Sequence, residues 1–151
     1  MLKAVGAAIA GYVVAVVLVF AGLSLLWVLL GPAGAFEPAV WETSLTWNLT
    51  NPLVGLAASV AGGYVCAFIS RGRRAIGILI GFIVVLGILS TLAATVEPAA
   101  AEPRPEVVTL FEAMSNAHAP LWAMVLNPIV GVIGVLIGWR LRGRPAASRS
   151  S

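Results

Sequence analysis

Four long apolar runs, separated by short stretches rich in Gly, Pro or charge, dominate the chain; they extend roughly over residues 4–30, 45–70, 75–96 and 120–139. Each reaches the length of about 20 apolar residues that a helix needs to cross a hydrocarbon core. Gly31-Pro32 stops the first run, the turn from Arg71 to Arg74 joins the second to the third, and Glu97-Pro98 stops the third. The pattern predicts an all-α integral membrane protein, a four-helix bundle within residues 1–144, with 145–151 as a disordered tail.

A shorter period appears between the third and fourth runs, where Val107, Leu110, Phe111 and Met114 fall at i, i+3, i+4 and i+7. That spacing predicts a short amphipathic helix between Pro105 and His118 at the membrane interface. Pro105 suits its first turn, and Glu106 there complements the helix dipole. Trp27, Trp41, Trp47 and Trp122 lie near predicted helix ends, as an aromatic belt requires.

Comparing the chain with itself reveals a duplication. NPLVGL from Asn51 recurs as NPIVGV from Asn127; Phe36-Glu37 matches Phe111-Glu112, Trp47 matches Trp122, and the Arg-Gly-Arg at 71–73 echoes that at 142–144. We read two parallel helix-loop-helix repeats, about 4–74 and 75–144, related by an axis along the membrane normal. Inverted repeats are the usual mark of secondary transporters, so the parallel sense weakens that reading. Each Asn-Pro pair lies about two turns inside its helix, where proline removes the bond to the carbonyl of Asn48 or Met124 and predicts a kink. The Asn51 and Asn127 side chains can bond those carbonyls, a water or each other. With Pro52, Pro128 and Ser59 they form the candidate intramembrane polar site.

Small residues recur at four-residue spacing, including Gly55, Ser59 and Gly63, Gly77 and Gly81, and Gly134 and Gly138. Such stripes let helix backbones approach closely, and a stripe left facing lipid would favour a homodimer or another membrane subunit.

Charge adds orientation. Of 151 residues 60% are hydrophobic and 10% charged, far from soluble proportions. Eight of the nine basic residues (Lys3, Arg71, Arg73, Arg74, Arg140, Arg142, Arg144 and Arg149) fall at the N-terminus, the 71–74 turn and the C-terminal tail, while Arg104 and all six glutamates lie in the other loops. The positive-inside rule then places both termini in the cytoplasm and the chain in a cytoplasmic (inner) membrane, with the arginines contacting anionic headgroups. The Arg-over-Lys usage and compact length suggest a bacterial host. Topology accounts for the positive charge, so no nucleic-acid partner is implied. The first run could be a signal peptide, with a cleavage pattern at Ala33-Gly34-Ala35, but it is about 27 residues long, well beyond a signal core, and is read as an uncleaved helix.

The chemistry available is sparse. There is no Asp, one His (His118), one Cys (Cys66) and one Lys. One Cys makes no internal disulfide or redox pair, and one His cannot supply both axial ligands of a haem. His118 and the scattered glutamates give no metal spacing. Glu97, Glu102, Arg104 and Glu106, set among prolines, read as a solvated connector, and Asn48-Leu49-Thr50 matches a glycosylation sequon at the membrane edge. Cys66 reads as a small packing residue. No intramembrane carboxylate is present for proton coupling, and no nucleophile, base and electrophile converge. The expectation is a non-enzymatic structural or accessory membrane component without cofactor. The alternatives are a passive channel or carrier for a small neutral solute lined by Asn51 and Asn127, or a sensor of metal or lipid using the acidic loops.

Overall fold

The computed structural model describes residues 1–70, 72–96 and 103–143. Arg71, Glu97, Pro98, Glu102, Arg144, Arg149 and the 145–151 tail lie outside the described residues. Five helices follow in order: α1 (Leu2–Ala35), α2 (Leu45–Ile69), α3 (Arg73–Val96), α4 (Leu110–Asn116) and α5 (Leu121–Gly143). All but α4 are long and apolar enough to cross a membrane, so the chain is an all-helical, multi-pass membrane protein.

Local sequence explains the boundaries. The backbone of α1 breaks at Gly31, whose φ of 61° and ψ of −177° belong to a region open only to glycine; a last turn then forms over Pro32–Ala35. Ser44 caps α2 by accepting the Trp47 N–H at 3.1 Å, a contact worth about 1 kcal/mol. The Ser44 hydroxyl also donates to the Gly34 carbonyl at 2.6 Å, tying the start of α2 to the end of α1. The backbone stays helical through Pro52 and Pro128.

The expected start of α4 is corrected. Pro105 and Glu106 precede the helix, which begins at Leu110 behind a reciprocal cap. The Thr109 hydroxyl accepts the Glu112 N–H at 3.3 Å, while Glu112 Oε2 accepts from the Thr109 N–H at 2.8 Å. Thr-x-x-Glu at 109–112 is the sequence signal for that start. Of the predicted apolar stripe, Val107 and Phe111 are 87% and 79% exposed, and Val108 and Ala113 are buried instead.

Around the bundle the neighbours run α1, α2, α5, α3 and back to α1, with α2 and α5 packing most broadly. A twofold axis would make α1 and α5 neighbours to the same degree as α2 and α3, yet among the described residues α2 touches α3 and α1 does not touch α5. The hairpins are therefore not evenly related.

Packing is uneven along the bundle axis. Toward the end that carries Lys3, Arg73, Arg74, Arg140 and Arg142, a core of Ala7, Ala8, Cys66, Ala75, Leu79 and Val135 is completely or almost completely buried. Small residues there bring the helix backbones together and leave no room between them. Tyr12 and Phe82 close over this core edge to face, 6.3 Å between centroids.

At the opposite end the two loops hold one another. His118 donates its N–H to the Trp41 carbonyl at 2.9 Å and accepts from the Thr43 N–H at 3.0 Å. Arg104 is no solvated connector: its N–H and Nε donate to the carbonyls of Ala39 and Val40 at 3.0 and 3.1 Å, and its guanidinium lies 5.4 Å from the Phe36 ring centre. Trp27, Phe36, Trp41 and Trp47 form an edge-to-face chain beneath these loops. Three of the four expected belt tryptophans are thus knotted together, while Trp122 is 47% exposed.

Candidate functional site

Between the loop end and the packed core the four spans line a partly open cleft of about 470 Å³, in which Asn51 is half-buried and Asn127 exposed. Both Asn-Pro pairs open into it: Asn51 and Pro52 from α2, Asn127 and Pro128 from α5. The two asparagines lie six residues inside their helices, about 9 Å below the helix ends. Ser90 and Thr91, near the loop end of α3, join them at a similar level. Ser59 and Tyr12 add hydroxyls deeper down, where the closed core begins.

Neither asparagine amide makes a hydrogen bond to the described protein, although each carries two donors and an acceptor. Bonds to the freed carbonyls, or between the two amides, are not formed. Thr91 is different, because its hydroxyl is spent on the Gly87 carbonyl at 2.9 Å. The remaining walls are aliphatic and the cleft carries no charged side chain. A polar amide unpaired inside hydrocarbon is costly, so two of them in one cavity make a place where a hydrogen-bonding molecule is stabilised.

The glycines divide into two groups. Gly63, Gly134 and Gly138 lie in the α2–α5 seam: a Cβ on Gly63 would strike the Val135 backbone, one on Gly138 the Val60 carbonyl, and one on Gly134 the Ser59 side chain. Around Gly55, Gly77 and Gly81 a Cβ would meet nothing within 4 Å. Gly55 widens the cleft, and Gly77 lies in a shallow furrow beside Arg73 and Trp139. Sequence spacing alone did not separate these groups, because it does not say which face of a helix meets a neighbour.

A second polar cluster, unforeseen from the sequence, lies at the base of the loops. Asn48 and Thr43 are buried; the Asn48 amide donates to the Thr43 carbonyl at 2.9 Å, and the Thr43 hydroxyl donates to Asn48 Oδ1 at 3.0 Å. The Asn48 amide is thereby engaged and closed to glycosylation. His118 sits above, its Nδ1 donating to the Asn116 carbonyl at 2.7 Å. Among the described residues no three His, Cys or Glu side chains gather as metal ligands.

Arg73, Arg74 and Arg140 are exposed at the other end. Arg142 instead lays its guanidinium over Phe68, 5.2 Å from the ring centre. Comparison with known protein families, curated proteins and solved structures yields no match to this chain.

Proposed function

We propose that the chain is a non-enzymatic protein of a bacterial cytoplasmic membrane, with both termini inside, and that its cleft binds a small neutral solute for passive carriage. The carrying observation is the convergence of two unpartnered Asn amides on one uncharged cavity inside the spans. A charged solute would meet no counter-ion there, whereas a neutral one with its own donors and acceptors would satisfy both amides. The closed core beneath Tyr12 argues for a carrier that must open its arginine end rather than for an open pore. The duplicated hairpins supply one Asn each, which gives the repeat a purpose.

A second reading, a structural or accessory component, draws on the exposed Val107 and Phe111, on the furrow at Gly77 and on the open space around Gly81, faces that a second copy or another membrane subunit would cover. The double substitution Asn51→Leu/Asn127→Leu separates the two. In proteoliposomes carrying the full chain, stopped-flow uptake of glycerol or urea is expected to exceed that of the double variant, with both proteins eluting as the same folded species. Equal uptake by the two proteins overturns the carrier reading.

A further inference from the structure

Beside the cleft, at the loop end, lies a second cavity of about 350 Å³ bounded by Ala94 of α3, by Ser115 and His118, and by the first turn of α5. One residue lines both cavities: Met124. It stands one helical turn before Asn127, on the same side of α5, so a molecule moving from the upper cavity toward the amides meets its side chain first.

The surroundings of Met124 are tied down by hydrogen bonds. His118 is held through its N–H, its carbonyl and its Nδ1, and the chain behind it through the Met124 N–H to the Pro120 carbonyl at 3.2 Å. The Met124 side chain makes no polar bond and turns about three single bonds, which suits it to swing aside and return. Among the described residues the lower end is closed by the buried Ala7, Ala8, Cys66, Ala75 and Leu79. The upper cavity presents the polar groups of Ser115 and His118, as an antechamber filled with water would.

We propose that the cleft is loaded from the aqueous phase at the loop end, through the His118 antechamber, and that the side chain of Met124 is its gate. This rests on the carrier reading and narrows it: the solute is water-soluble, uncharged and small enough to pass a displaced methionine, and it bears both donors and acceptors. Polyols and small amides have that chemistry; a membrane lipid entering sideways does not need the gate.

The test places a single thiol behind the gate. In the full chain carrying Cys66→Ala and Asn127→Cys, reconstituted in liposomes, the rate of alkylation by iodoacetamide is measured with Met124 intact, with Met124→Ala and with Met124→Phe. Iodoacetamide is itself a small neutral amide. The expected result is a rate about tenfold higher for Met124→Ala, the factor that removing about 1.4 kcal/mol of barrier gives, and a lower rate for Met124→Phe. Equal rates in all three overturn the gate while leaving a reachable cleft. No reaction in any of them, with full reaction after denaturation, overturns both the gate and the carrier reading. Should Met124→Phe not fold, the Met124→Ala comparison decides.

Discussion

Gly11 and Gly62 face one another so closely that a Cβ on either would lie 2.6 or 2.5 Å from the other's carbonyl oxygen. No side chain separates α1 from α2 at that point, and neither backbone can yield without moving its whole helix. Gly11→Ala or Gly62→Ala is therefore expected to destabilise the bundle by about 1–3 kcal/mol, the usual cost of overpacking. Gly77→Ala, with open space around it, is expected to change stability by no more than about 0.5 kcal/mol. Thermal unfolding in a mild detergent compares them, and equal losses at Gly62 and Gly77 would contradict the packing described.

Asn48 and Thr43 form a closed pair beneath the loops. Replacing Asn48 with Leu keeps the volume but removes the partner of the Thr43 carbonyl and leaves the Thr43 hydroxyl only the His118 carbonyl at 3.3 Å, a loss of about 1–3 kcal/mol. Because Thr43 also pairs with His118, the damage should reach the second loop. Faster amide hydrogen exchange at both Thr43 and His118 is the expected result; a change confined to α2 would show that the loops do not depend on this pair.

The Glu112 carboxylate accepts from both the backbone and the hydroxyl of Thr109, which holds its pKa below the ordinary glutamate value, the backbone bond contributing most. The folded state thus favours the ionised form. Its contribution is present above the unfolded pKa and is lost as pH falls through the lower, folded one. NMR Cα shifts of residues 110–116 should hold steady from neutral pH through the ordinary glutamate range and lose helical character only below it. In Glu112→Gln that acid transition should vanish; a transition that persists would place its origin elsewhere.

The spans were legible in the sequence because hydrocarbon imposes one strong requirement, a long apolar helix, and the four runs meet it. The Asn-Pro pairs stood out because polar groups inside a span contrast with their surroundings, and the structure brings both pairs to one cleft. What the asparagines do was not legible: whether an amide bonds its own helix or faces a cavity depends on how four helices splay, and no spacing encodes that. Arg104 was misread for the same reason. Its partners, Phe36 and Val40, lie more than sixty residues away and come within reach only when the loops meet. The start of α4 shows the reverse, with Thr109 and Glu112 carrying a local signal that the proline at 105 obscured.

The sealed half of the bundle has a consequence for the cell that houses it. A membrane stores energy only while it insulates, and a polar cavity reaching into it is a potential leak for protons and ions. Here the layer below the cavity is only a few turns of alanine, cysteine and leucine deep, yet its side chains are completely or almost completely buried against one another. On the proposed carrier reading that layer is what separates the cavity from the arginine end, and a polar side chain placed in it, as in Leu79→Asn, would loosen both the seal and the fold.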